Sequence, residues 1–185
     1  NISNSLEKLK NVSELRNAAR NIDNMAVRDS LTGVYNRMGI NRFVVDMVKQ
    51  ANTSRRRLLF IFADMDGLKK INDEFGHEAG DQAICFAAEA LQEAFCEKEL
   101  IIRYGGDEFL VVSDALCWEQ AEEKKAQITA LLKQWQRDEK LPYRLSMSIG
   151  YYQKEPDTEA SMEQYINWAD ERMYEMKCKN REQRK

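Results

Sequence analysis

Residues 58–63 (Leu58, Leu59, Phe60, Ile61, Phe62, Ala63) form an unbroken apolar run of strand length, and Asp64 and Asp66 stand at its carboxyl end. A strand that is apolar on both pleat faces must be covered on both, so the run predicts a central strand packed between layers. Carboxylates at the end of such a strand are costly to bury unless they are paired or sit on a metal. A second stretch supplies more of them. Arg103-Tyr104-Gly105-Gly106-Asp107-Glu108-Phe109 lies between Leu100-Ile101-Ile102 and Leu110-Val111-Val112, the pattern of strand, turn and strand. Adjacent glycines permit positive φ and a close approach of backbone to ligand. Two acids at such a tip suit a divalent cation, although an ordinary hairpin with solvated acids has the same pattern. Asp64 beside Asp107 and Glu108 gives the acid cluster of a two-metal phosphoryl-transfer site.

After the first strand, residues 68–75 read as a short helix with Leu68, Ile71 and Phe75 inward, followed by a glycine-bounded turn. Asp81 is expected to cap a helix over 81–96 whose apolar face holds Ile84, Ala87, Ala88, Leu91 and Phe95. The remainder predicts helix 37–51, strand 57–63, strands 100–104 and 108–113, helix 118–137, strand 143–151 and helix 161–178. Two β-α-β halves around a central hairpin predict an α/β (α+β) fold, an antiparallel-containing sheet with helices packed on it.

Residues 2–27 read as a helix apart from that core. Val12, Leu15, Ala19, Ile22 and Ala26 follow coiled-coil spacing, whereas Ile2, Leu6 and Leu9 lie on a seam shifted by one residue. A dimerising connector is the favoured reading, and a helix folded onto its own domain the alternative. The chain opens on Asn1 rather than Met, which predicts a piece of a longer protein.

With 185 residues and 43% hydrophobic content, one sizeable core plus an appendage is expected. A net charge of −3 gives no electrostatic reason to expect nucleic-acid binding. No run is long and apolar enough to span a membrane and no signal-peptide pattern opens the chain, so no direct membrane contact and a cytoplasmic location are expected. Cys85, Cys96, Cys117 and Cys178 show no metal-ligand spacing and read as reduced packing thiols. His77 is the single histidine, which excludes a multi-histidine metal site.

Five blocks in order carry a resemblance. Arg28-Asp29-Ser30-Leu31-Thr32-Gly33-Val34-Tyr35-Asn36-Arg37 comes first, then Asp64-Met65-Asp66 through Asp81. Gly105 to Phe109, Ser148-Ile149-Gly150, and Ala169-Asp170 with Met173-Tyr174 and Lys177 complete the set. The chain resembles the GGDEF family of diguanylate cyclases over roughly residues 28–181. The resemblance implies a palm-like nucleotidyl cyclase fold over 28–185 behind a connector at 1–27. It also implies condensation of two GTP molecules into cyclic di-GMP across a homodimer, with two Mg²⁺ or Mn²⁺ ions per site.

By that resemblance Asp64, Asp107, Glu108 and the Met65 carbonyl are metal ligands, and Asp107 or Glu108 is the proton acceptor. Asn72 and Asp81 match the guanine-holding positions, and a helix cap at Asp81 is compatible with that role. Lys69 and the backbone around Leu68 are placed to meet phosphates. Lys177 and Arg181 match a basic pair on the triphosphate, although a cationic helix end complementing the macrodipole has the same appearance. His77 is expected to face either substrate or neighbouring backbone.

Two departures from the family pattern stand out. Where product-inhibited members carry Arg-x-x-Asp, this chain has Cys96-Glu97-Lys98-Glu99, so the inhibitory product site is not expected to be retained. Asn180 replaces a frequent glycine before Arg181, a mild change because asparagine tolerates left-handed backbone. The alternative to an active cyclase is a catalytically silent receptor or scaffold on the same fold. Silent members usually lose signature acids, which are present here.

Overall fold

The computed structural model describes residues 26–95 and 98–182, with side chains as far as Cys178. The four described strands are β1 (Leu58–Met65), β2 (Leu100–Arg103), β3 (Glu108–Ser113) and β4 (Met147–Lys154). They form one sheet in the order β2-β3-β1-β4, and every neighbouring pair is antiparallel. A π-helical turn at Ile40–Val44 runs into α1 (Val45–Thr53). The remaining helices are α2 (Leu68–Phe75), α3 (His77–Ala94), α4 (Trp118–Asp138) and α5 (Met162–Glu182).

All eight residues of β1 are buried, as its apolar run predicts. Side chains alternate across a strand, and the alternation divides the core in two. Leu59, Ile61, Ala63 and Met65 pack with Ile84, Ala87 and Leu91 of α3 and with Ile128 and Leu132 of α4. Leu58, Phe60 and Phe62 pack on the other face with Tyr165, Ile166, Ala169 and Met173 of α5. Continuing that parity carries the Asp64 side chain to the α5 face. Leu110 and Val112 of β3 share this face, so Glu108 falls on it as well. α5 lies close on the sheet at Gly150, where a Cβ would stand 2.0 Å from the Met173 backbone nitrogen.

Four local readings are corrected. The helix expected over 81–96 begins at His77, with Gly76 as its N-cap, so Asp81 lies in the second turn and caps nothing. Gly76, at φ +87°, reverses the chain tightly enough that α3 starts directly after α2. The strand expected over 143–151 runs instead over Met147–Lys154. Tyr143 and Leu145 alternate as strand residues do, but they are buried against helices: the Leu145 amide donates to Gln136 Oε1 at 3.3 Å, and the Tyr143 hydroxyl lies 3.0 Å from Gln82 Oε1. Phe75 is 40% exposed rather than inward, with its ring tilted against Tyr143 at 5.5 Å. The helix at 37–51 contains the π-turn and continues to Thr53. The connector expected over 2–27 falls almost wholly outside the described residues.

Candidate active site

Asp64, the penultimate residue of β1, pairs in register with Glu108, the first residue of β3. The Met65 amide donates to the Asp107 carbonyl at 3.0 Å, which ties the turn of the β2–β3 hairpin to the end of the central strand. The backbone positions of Asp64, Asp107 and Glu108 therefore come together at one end of the two central strands.

Burial raises the Asp64 carboxyl above the ordinary carboxylate range, the Lys177 ammonium opposes that rise, and the Asp107 and Asp66 charges add to it. Glu108 is raised by burial first and then by Asp64, Asp107 and Asp170. Asp170 is itself raised, by burial and then by Glu171. Lys177 Nζ donates to Asp64 Oδ1 at 2.5 Å from the α5 side, the face that strand parity assigns to Asp64. Burial, more than repulsion between carboxylates, keeps Asp64 raised despite the Lys177 ammonium, and all the side-chain donors are oxygens. That donor set fits a hard divalent cation. Among the described residues, no group of three His, Cys, Asp or Glu side chains is gathered closely enough to hold a metal as it stands.

The hairpin turn departs from expectation in its glycines. Positive φ occurs at Gly33, Gly67 and Gly76, and at neither Gly105 nor Gly106. At Gly105 a Cβ would lie 2.5 Å from Glu108 Oε2, so the Glu108 carboxylate lies over bare backbone there. The Gly106 carbonyl accepts from Arg103 Nε at 3.1 Å and Nη2 at 2.7 Å. Asp66, the other aspartate after the central strand, is buried and accepts from Ser148 Oγ at 2.7 Å and Ser146 Oγ at 2.9 Å. Its oxygens tie the strand end to β4, so it is not grouped with the acid cluster. Arg103, Asp66 and Asp170 stand in the motifs quoted above, but these local contacts were not anticipated for them. A charged residue directly before the turn and the Ser-x-Ser spacing of 146 and 148 were the available signals.

On the adjoining side, Gly67 at φ +79° is the N-cap of α2, leaving Leu68 half-buried and Lys69 exposed. Asn72 is clasped between the two helices, with its carbonyl accepting from the Gly76 amide at 3.0 Å and its carboxamide against Gly80. Asp81 follows on α3 and is exposed, as is His77 at the first turn. Arg181 belongs to the last turn of α5, where side chains lie outside the description, and Cys96 lies outside it altogether. Glu99 is buried and accepts from Ser113 Oγ at 3.2 Å. Cys85, Cys117 and Cys178 are free thiols. No described helix is long and apolar enough to cross a membrane.

The family model "Diguanylate cyclase, GGDEF domain" matches residues 26–183. The diguanylate cyclase DgcP of Escherichia coli K12 is 30% identical over 184 residues, covering 95% of this chain and 52% of that protein. The bifunctional diguanylate cyclase/cyclic di-GMP phosphodiesterase MucR of Pseudomonas aeruginosa is 31% identical over 167 residues, covering 90% of this chain and 24% of that protein. The chain thus spans about a quarter to about half of the length of these two relatives. The coiled coil and GGDEF domain of DgcB from Caulobacter crescentus, solved with c-di-GMP, has the same fold at a TM-score of 0.77. It is 20% identical and covers 95% of this chain and 93% of that one.

Proposed function

The chain belongs to the diguanylate cyclase GGDEF-domain family, and on that premise we propose that it condenses two GTP molecules into cyclic di-GMP with release of two pyrophosphates. The observation that carries the reading is the register pairing of Asp64 with Glu108 beneath Lys177. It is an all-oxygen, charge-excess site at a strand end, where in-line displacement at phosphorus needs cationic help.

In each step a ribose 3′-oxygen attacks the α-phosphorus of the other GTP. It gives up its proton to a carboxylate, Asp107 or Glu108, and a pyrophosphate leaves as the new P–O bond forms. Repetition with the roles exchanged closes the ring. Two Mg²⁺ or Mn²⁺ ions held by Asp64, the Met65 carbonyl, Asp107 and Glu108 would supply stabilisation of the attacking and leaving oxygens. Asn72 and Asp81 read the guanine. A carboxylate accepts from guanine N1–H and N2–H, whereas adenine would set an unpaired acceptor against it. The backbone at Leu68, together with Lys69, Lys177 and Arg181, meets the phosphates, and His77 faces either substrate or backbone.

Each chain offers one guanine pocket and the product has two guanines, so the working unit is a homodimer. Residues 1–27 form its connector, residues 28–185 its catalytic domain, and the whole a cytoplasmic output module of a signalling protein. Incubation with GTP and Mg²⁺ or Mn²⁺ followed by nucleotide chromatography tests the reading. Cyclic di-GMP from GTP, and no product from ATP, is the expected result. Asp64→Asn and Asp107→Asn should each abolish turnover with the circular dichroism unchanged, and turnover in either variant removes the metal assignment.

A further inference from the structure

We propose that Gly80 is a positioning residue for guanine recognition: the side chain it lacks makes the space that holds the Asn72 carboxamide. The proposal rests on the reading of Asn72 as a guanine contact. A Cβ built on Gly80 would fall 1.8 Å from Asn72 Oδ1, 2.9 Å from its Cγ and 3.4 Å from its Nδ2. Real atoms do not approach so closely, so alanine at 80 can be accommodated only if the Asn72 side chain swings away.

The backbone gives no other reason for a glycine there. Gly80 lies inside α3 and is not among the described glycines with positive φ, which are Gly33, Gly67 and Gly76. Glycine is the least helix-favouring residue after proline, so a helix interior normally selects against it. Gly76, four residues earlier, is required for a different reason. Its φ of +87° turns α3 back against α2, and its amide holds the Asn72 carbonyl at 3.0 Å. One glycine therefore sets the reversal and the other admits the carboxamide. Tyr143, whose hydroxyl lies 3.0 Å from Gln82 Oε1 and 3.3 Å from the Ala79 carbonyl, pins the same turn of α3. With α3 pinned, the adjustment to a new Cβ falls on Asn72.

Gly80→Ala should fold, with a melting temperature equal to or above the parent's, because alanine is the better helix former. Its affinity for a non-hydrolysable GTP analogue with Mg²⁺, measured by calorimetry, should fall about tenfold, as expected when a base edge loses its polar partner. Turnover at saturating GTP should change far less. In an Asn72→Ala background the same substitution should have no further effect, because the group it displaces is gone. Parent-like affinity in Gly80→Ala overturns the proposal, as does an equal loss in both backgrounds. An Asn72→Ala variant that binds normally overturns it together with the guanine role of Asn72. A protein that makes no cyclic di-GMP, yet loses analogue binding in this pattern, refutes the cyclase reading and supports the proposal.

Discussion

Arg103 Nη1 donates to both carboxylate oxygens of Asp29, at 3.0 and 3.2 Å, across 74 residues of sequence. The same guanidinium holds the Gly106 carbonyl through Nε and Nη2. Asp29 is fixed in turn by the Thr32 amide at 3.0 Å and the Thr32 hydroxyl at 2.7 Å. One planar side chain thus joins the segment entering the domain to the turn that carries Asp107. Lysine has no fork with which to hold both ends. Arg103→Lys should leave a folded domain destabilised by about 1–3 kcal/mol, with turnover reduced by more than the stability loss explains. Denaturant unfolding alongside GTP turnover checks this, and unchanged turnover would leave the ion pair as scaffolding only.

Asp29 also makes acid stability a readout. Burial raises its carboxyl, but bonds from Thr32 and then Arg103 outweigh that, so its folded pKa lies below the ordinary value. A depressed carboxylate contributes stability that is present above its unfolded pKa, about 3.9, and lost as pH falls through its folded pKa. Asp29→Asn should therefore lower stability at neutral pH and flatten the acid limb below about pH 4. Parallel stability curves for parent and variant would dismiss the contribution.

Gly150, under the packed helix, and Gly105, in the hairpin turn, should respond differently to the same added methyl. At Gly150 a Cβ meets backbone, 2.0 Å from Met173 N and 2.5 Å from Arg172 C, so neither side can yield without moving α5 off the sheet. Gly150→Ala should cost more than about 3 kcal/mol or prevent folding. At Gly105 the methyl meets only the end of the Glu108 side chain. Gly105→Ala should fold normally and lose turnover, because the displaced group is an acid of the site. A thermal melt on each, with turnover on the second, separates the cases, and equal melting losses would refute the distinction.

Three of the four described strands, and the acids beside them, were legible because a short apolar run and the residue that ends it are local signals. The six-residue run named β1, and its carboxyl end named Asp64. Helix starts were less legible. Asp81 looks like a cap by composition, yet Gly76 begins the helix through a φ that sequence encodes only as a glycine. Tyr143 and Leu145 alternate as a strand does because burial selects apolar residues, whether the partner is a strand or the end of a helix. The pairing of Lys177 with Asp64 joins residues 113 apart, and charge alone did not distinguish it from a solvated helix end.

That pairing leads to a metal-dependent prediction. Lys177 and Asp64 are 20% and 10% exposed at their side chains, so removing the ammonium leaves a largely buried carboxylate without its cation. Lys177→Met should destabilise the metal-free domain by about 1–3 kcal/mol. Saturating Mg²⁺ should recover more melting temperature in the variant than in the parent, because the ion replaces a cation that only the variant lacks. Identical Mg²⁺-induced shifts in both proteins would show that Lys177 and the metal do not share Asp64.

Regulation by product should also differ from that of family members with an arginine and an aspartate before the signature strand. Cys96 has no bidentate donor fork, and Lys98, two residues on, supplies only a point charge. Glu99 stands at the aspartate's place but is 6% exposed and accepts from Ser113 Oγ, so its carboxylate is engaged within the domain. Charge-assisted hydrogen bonds of the missing kind contribute about 1.5–3 kcal/mol each. Losing more than one should weaken product affinity by roughly two to four decades, at about 1.4 kcal/mol per decade. Cyclic di-GMP at low micromolar concentration should therefore not inhibit through this surface. Calorimetry on the Asp107→Asn variant, with the nucleotide pocket filled by a non-hydrolysable GTP analogue, isolates the site. Micromolar binding that disappears in Glu99→Ala would show that the buried glutamate turns outward to take the product after all.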